Sequence, residues 1–281
     1  MQIGEYSVSA IETGYLSLDG GAMFGVVPKT LWSRSNPADE LNRIILSMRI
    51  LLIRSTDKLI VVDTGVGRKM SAKLQKIYNV DHNAYNLEIG LQKMGIAPED
   101  VTDVIITHMH FDHIGGATYF DKQGELALTF PNALHHIQKA QWDWAMHPSE
   151  KDGASYMQEN YLPIQENNKL NLIDGPGTLF PGIDLVTFNG HTPFMQAPKI
   201  SDGENTLFYA ADLFPTASHI PLPYIMGYDV LPMQTLAEKK ALLPQAVDEN
   251  WTLLFEHDPF HIAGSVQKNA RGFSFGEKRA L

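Results

Sequence analysis

Apolar residues run almost unbroken through residues 43–55 (RIILSMRILLIRS), pause at Thr56-Asp57-Lys58, and resume in LIVVDTG. Two such runs around a short polar turn predict an antiparallel hairpin ending at Asp63-Thr64-Gly65. Residues 83–94 then set Leu87, Leu91 and Met94 at helical spacing with Gly95 as a stop, the pattern of a short amphipathic helix. Residues 103–107 (DVIIT) read as a buried strand that delivers the chain to a His-rich segment. Further on, residues 140–146 and 155–161 read as helices, and residues 170–173, 184–188, 206–210 and 252–255 as strands. Residues 236–247 form the last sizeable helix, which Pro244 is expected to bend or end early. The Pro- and Gly-rich residues 174–182 and 215–232 read as long loops of the kind that wall active sites. The alternation predicts a mixed α/β fold. Without an internal repeat or a low-complexity linker, one domain over residues 1–281 is expected.

Composition narrows the chemistry. There is no Cys, so thiolate metal sites, Cys nucleophiles and disulfide scaffolds are excluded together, and metal chemistry must use His and carboxylate. The net charge of −10 would repel a phosphate backbone, and Lys239-Lys240 beside Glu238 reads as a solvated helix face, so no nucleic-acid partner is expected. The N-terminus lacks Lys or Arg ahead of an apolar run, and no apolar stretch reaches the ~20 residues of a membrane span. A cytoplasmic protein with no membrane partner is the expectation. Gly21-Ala22-Met23-Phe24-Gly25 is not a phosphate loop, the Asn250-Trp251-Thr252 sequon is expected to be inert, and no Gly-x-Ser-x-Gly elbow exists.

The segment His108-Met109-His110-Phe111-Asp112-His113 packs four metal-ligand side chains into six positions after a buried strand. In extended backbone His108 and His110 project to the same side, because the side-chain period is two, so both can meet one ion. As the chain turns, Asp112 and His113 can face a second ion. Imidazole and carboxylate without sulfur suit zinc, with iron or manganese also accommodated.

On these residues the sequence resembles the metallo-β-lactamase superfamily, whose His-x-His-x-Asp-His signature His108 to His113 matches. Asp63-Thr64-Gly65 looks like its early Asp motif and Gly190-His191-Thr192-Pro193 like its third-His motif. Asp212 and His257, each after a strand, sit where that family places a bridging carboxylate and a last His. The resemblance implies an αββα sandwich of two mixed β-sheets flanked by helices, with two divalent metal ions on loops at one edge. It assigns His108, His110 and His191 to one metal, Asp112, His113 and His257 to the other, and Asp212 to both. Two divalent cations, two ionised Asp and one bridging hydroxide would leave about +1, a centre that favours anionic transition states. Asp63 is expected to orient a ligating His through its free ring nitrogen. His261 is expected at the surface, at most one of His135 and His136 can reach the site, and His82 and His147 are expected to be exposed.

The resemblance is nearest to the branch of N-acyl-homoserine lactonases and organophosphate hydrolases. It implies a small-molecule substrate with a lactone, ester or phosphotriester bond, attacked by metal-bridging hydroxide, with Asp112 or Asp212 moving the proton. Those lactonases carry a Tyr shortly after the bridging Asp, where this chain has Phe214-Pro215, so Tyr224 or Tyr228 is expected to substitute. Phe194 stands where relatives have Gly. Phe24, Phe111, Phe194 and His219 join the candidates for substrate contact. Met23, Met109, Met195, Phe214 and Met226 also lie on or near the site loops, although most of these apolar side chains are expected to pack the core. A glyoxalase II-like thioesterase would share every ligand and use Lys268, Arg271, Lys278 or Arg279 for glutathione. A single-iron sulfur oxygenase or a non-catalytic small-molecule binder could be built on the same fold, and a homodimer is left open.

Overall fold

The hairpin expected at residues 43–62 is the spine of the computed structural model, which describes residues 1–281. In chain order the strands of the first half are β1 (Gln2–Ile3), β2 (Tyr6–Asp19), β3 (Arg43–Arg54), β4 (Leu59–Val62), β5 (Asp103–Ile105), β6 (Thr118–Phe120), β7 (Leu126–Leu128), β8 (Leu134–Gln138) and β9 (Leu170–Ile173). Those of the second half are β10 (Gly177–Phe180), β11 (Ile183–Phe188), β12 (Met195–Ser201), β13 (Thr206–Tyr209), β14 (Thr252–Leu254), β15 (Ala263–Asn269) and β16 (Gly272–Lys278). One seven-stranded sheet has the order β1-β2-β3-β4-β5-β8-β9, the other runs β10 to β16 in sequence order, and β6 and β7 form a separate ribbon. The helices are α1 (Gly20–Phe24), α2 (Lys29–Trp32), α3 (Ala72–Tyr78), α4 (Leu87–Lys93), α5 (Phe111–Ile114), α6 (Lys139–Met146), α7 (Leu162–Glu166) and α8 (Pro232–Asp248).

β3 is apolar on both faces because both are covered. Leu51 and Ile53 point into a core shared with Leu207, Tyr209 and Leu254 of the second sheet. Ile50 and Leu52, one residue out of phase, meet Leu87 and Leu91 of α4, Trp142 of α6 and Ile164 of α7. On the other side Leu242, Leu243 and Ala246 of α8 pack with Trp251 and Phe208. The result is the αββα sandwich, two mixed sheets between helical layers. A third cluster, including Met23, Phe24, Met48, Phe111 and Met226, gathers at one edge. No helix is long and apolar enough to cross a membrane.

Several sequence expectations are corrected. The helix expected over residues 83–94 is shorter, because Asn86 caps it by accepting from the Ile89 amide at 2.8 Å. Residues 155–161 form no α-helix. Tyr156 instead sends its hydroxyl to Thr192 Oγ1 (2.7 Å) and Tyr161 to the Ala145 carbonyl (3.2 Å), tertiary bonds that outcompete a helical turn. The loop expected at 174–182 contains β10, hairpinned onto β11. The last helix is longer than expected and passes through Pro244. Pro244 and Lys240 are both exposed, so the carbonyl that loses its partner is solvated. The local cost of about 3 kcal/mol is offset by burying Leu242 and Leu243, each worth about 1.5–3 kcal/mol.

Candidate metal centre

Most of the candidate ligands sit just past the carboxyl end of a strand. β4 runs into Asp63, β5 into Thr107 and His108, β11 into His191, β13 into Asp212 and β14 into His257. β4 and β5 are parallel neighbours in one sheet, and β13 and β14 in the other. Ends of parallel strands are where α/β folds place ligands, since backbone groups and loops there are free of the ladder. His110 precedes α5, whose single turn brings Asp112 and His113 back beneath it. The chain can turn so closely because Gly115 and Gly116 lie against backbone: a Cβ on either would stand 2.2 Å from the carbonyl oxygen of Val66 or Thr64. Gly190, before His191, is pressed onto α8, where a Cβ would meet Thr235 Oγ1 at 2.2 Å.

The seven residues converge. His110 Nδ1 lies 3.0 Å from His108 Nε2 and 3.1 Å from His191 Nε2. His113 Nε2 and His257 Nε2 are 3.3 Å apart, with Asp112 oxygens 4.0 and 3.8 Å from them. Asp212 stands between the two groups: Oδ2 is 3.1 Å from His191 Nε2 and 3.6 Å from His113 Nε2, and Oδ1 is 3.2 Å from His257 Nε2. Tetrahedral ligands held about 2.0–2.1 Å from zinc would lie about 3.3 Å from one another, so these separations fit. Asp212 Oδ1 is buried and accepts no hydrogen bond, which leaves it free for a cation.

Behind the ring nitrogens that face inward, the opposite nitrogens are tied down. Thr107 Oγ1 donates to Asp63 Oδ2 (2.7 Å) and lies 3.1 Å from His108 Nδ1, so it can accept that N–H and leave Nε2 as the inward lone pair. His113 Nδ1 is 3.1 Å from Asp63 Oδ2, His191 Nδ1 is 3.0 Å from Asp229 Oδ1, and His257 Nδ1 is 2.8 Å from the Ser47 carbonyl. Burial, followed by the neighbouring imidazoles, holds His108 and His110 well below the usual histidine range. Burial opposes charge on His257 too, but Asp212 and Glu256 carry it up to about 9. Burial likewise opposes ionisation of Asp212, yet His191, His113 and His257 hold it well below the carboxylate range. The cluster thus binds positive charge, as a metal centre must.

Two residues at this centre escaped sequence reasoning. Glu256 is fully buried with Oε2 3.1 Å from His113 Nδ1, and burial pushes its carboxyl up to about 7. Its signal was an acid continuing the apolar run TLLF straight into His257. Asp229 lay hidden in a loop, with no local pattern to mark it.

A pocket of 170 Å³ opens above the centre, with His110, Asp112, His191, Asp212 and His257 in its floor. Leu18, Met23, Leu46, Tyr78, Phe111 and Met226 form apolar walls, and Lys151, Asp152, Ser155 and Tyr228 add polar groups. Of the expected substrate residues, Phe111 and Tyr228 therefore line it. The others do not. Phe24 is fully buried, stacked between Trp32 and His219. His219 is buried with both ring nitrogens engaged, by Thr216 Oγ1 at 2.8 Å and the Met23 carbonyl at 2.9 Å. Tyr224 packs edge-on against Phe24. Phe194 is exposed outside the pocket, its positive φ of 60° explaining why Gly suits the position. His82, expected in solvent, instead bridges the Thr13 and Gly67 carbonyls at 3.1 and 2.9 Å. Neither His135 nor His136 reaches the centre; His136 Nε2 lies 2.8 Å from Asp103. Lys268, Arg271, Lys278 and Arg279 are absent from the pocket lining, and Arg279 is spent on Asn250 and Thr252. A larger cleft of 530 Å³, lined by Arg68, His82, Glu88 and Tyr119 among others, contains none of the seven candidate ligands.

Residues 49–257 match the sequence profile of the Metallo-beta-lactamase superfamily, and the chain belongs to that family. It is 33% identical over 107 residues to an N-acyl homoserine lactonase from a Bacillus species, and 27% identical over 171 residues to one from Bacillus thuringiensis. These matches span 38% and 60% of this chain, and only 36% and 60% of those relatives' lengths. Among solved structures, a Staphylococcus aureus protein described as a probable metal-dependent hydrolase superposes with a TM-score of 0.89 at 31% identity, covering 99% of this chain and 98% of that one. The dizinc quorum-quenching lactonase AidC, in complex with a homoserine product, superposes with a TM-score of 0.81 at 25% identity, covering 100% and 97%.

Proposed function

We propose that this chain is a metal-dependent hydrolase that cleaves lactones and carboxylic esters, with two divalent ions, zinc first among them. The observation that carries this reading is the pair of nitrogen clusters, one around His110 Nδ1 and one between His113 and His257, with the Asp212 carboxylate in contact with both. His108, His110 and His191 would hold one ion, Asp112, His113 and His257 the other, and Asp212 both. Ions bound there would lower the pKa of water from ~16 towards ~7 and polarise a carbonyl oxygen.

The chain's own groups supply the rest. Asp112, though buried, lines the pocket, where its carboxylate would take a proton from water and pass it to the leaving oxygen. Tyr228 lines the same pocket, and burial first, with Asp19, Tyr78 and Asp112 adding, pushes its phenol up to about 12. At neutral pH it therefore stays a donor, able to hold a carbonyl or alkoxide oxygen in the role that Phe214 and Pro215 cannot fill. The apolar walls and the 170 Å³ volume suit a short acyl chain. The similarity to lactonases and to AidC supports the ester-like bond as the target.

The test is a panel of lactones, aryl esters, thioesters, phosphotriesters and β-lactams offered to the zinc-loaded protein. Lactones and aryl esters should be turned over fastest, and Asp112→Asn should abolish most of the rate and weaken binding of the ion assigned to His113 and His257. Two bound ions with no hydrolysis of any ester would overturn the proposal, and fastest turnover of thioesters would redirect it.

A further inference from the structure

The deepest cation in the molecule is not at the metal centre. Lys239, on α8, is fully buried, and the only carboxylate near enough to favour its charge is Asp229, with which it makes no direct hydrogen bond. Its Nζ donates to three carbonyls of one loop: His219 at 2.5 Å, Pro221 at 2.9 Å and Tyr224 at 2.8 Å. An ammonium has three donors, and all three are used. Removing such a group from water is costly unless every donor is satisfied, and burial pushes this lysine down to about 7. A methionine of similar length would fill the space without that cost. The charge therefore serves the three carbonyls, which point inward from irregular backbone and have no ladder to join.

The loop gathered by Lys239 is also the roof of the pocket. The His219 ring stacks on Phe24 with its Nε2 at the Met23 carbonyl, and the Gly227 amide donates to the Ala22 carbonyl at 2.7 Å. Met23, Met226 and Tyr228 are thereby fixed as wall residues. The floor has anchors of its own further along the chain. Beyond Tyr228 the chain is tied to the third-His segment by Val230 N to His191 O and Leu231 N to Gly190 O, both 2.9 Å. The ligands themselves stand past strand ends or on the single turn of α5.

We propose that Lys239 is a positioning residue that sets the width of the substrate pocket through the loop at 219–228, without acting on the metals. The proposal rests on the hydrolase reading only for its kinetic test. In the zinc-loaded Lys239→Met protein, KM for a lactone or aryl ester with a several-carbon acyl chain should rise about tenfold or more while kcat stays within about twofold. Metal content should be unchanged. Amide hydrogen exchange over residues 219–228 should accelerate about tenfold or more, with residues 108–113 and 252–257 unaffected. His219→Phe keeps the stack on Phe24 but deletes the tie to Met23, so it should shift KM and exchange the same way by less. It decides the matter if Lys239→Met does not fold. Unchanged exchange at 219–228, unchanged KM, or a fall in metal content alongside kcat would each overturn the proposal. If the wild-type chain hydrolyses no ester, the hydrolase reading falls, and the exchange comparison still decides the role of Lys239.

Discussion

His135 should make the protein acid-sensitive by an amount that can be worked out. It lies in β8 between Val104 and Leu170 of the neighbouring strands, fully buried, and neither ring nitrogen has a hydrogen-bond partner. Burial pushes it down from 6.5 to about 4. Between those values the unfolded chain binds a proton that the native chain does not, so stability is whole above pH 6.5 and is lost as pH falls towards 4. At pH 5 the loss from this one residue is about 2 kcal/mol, and at pH 4 about 3 kcal/mol. His135→Leu keeps an apolar side chain of similar bulk between the strands and removes both the titration and the unpartnered nitrogens. Urea unfolding of the two chains at pH 7 and pH 5, under identical metal conditions, isolates the term, because every other titrating group is common to both. At pH 7 the variant should be as stable as wild type or more so, and its advantage should grow by about 2 kcal/mol at pH 5. An advantage that does not grow with acid would refute the reasoning.

Three further outcomes concern the site. Asp229→Asn leaves a carbonyl for His191 Nδ1 but removes the charge behind it, so one ion should be held about 10–100-fold more weakly in a chelator competition. Tyr228→Phe deletes the phenol without altering the wall, and kcat/KM for lactones should fall about 10–100-fold, at constant metal content. Gly116→Ala forces a Cβ to 2.2 Å from the Thr64 carbonyl, so the turn carrying Asp112 and His113 must shift. Purified Gly116→Ala protein should show lowered thermal stability and lowered metal content together.

What could be read in the sequence was whatever chemistry or periodicity writes locally. Strict apolar runs gave β3, β4 and β5, and the spacing of His108, His110, Asp112 and His113 pointed to a metal-holding turn before any fold was known. His191, Asp212 and His257 came through motif order, since nothing in their own neighbourhoods shows that they meet the others. The misses share a physical cause. Phe24 and His219 looked like pocket residues because they lie on the right loops, but their rings stack on each other inside the edge cluster. Tyr228 faces the pocket while Tyr224, four residues earlier, does not, a distinction set by the loop's path under Lys239 and not by composition. Lys239 itself read as part of a solvated face beside Glu238 and Lys240. Its burial follows from three carbonyls supplied by a distant loop, which no window on the helix could reveal. Pro244 failed as a stop signal for the converse reason, since tertiary packing on one face of α8 outweighed a local rule on the other.

The claim that supports the rest is that seven side chains from four strand-end segments hold two cations. Elemental analysis of the zinc-loaded chain after removal of free metal measures this directly. The account predicts two ions per chain, falling to one in His110→Ala and to one in His257→Ala. A single ion of any kind at saturation, or two ions retained in both variants, would contradict it.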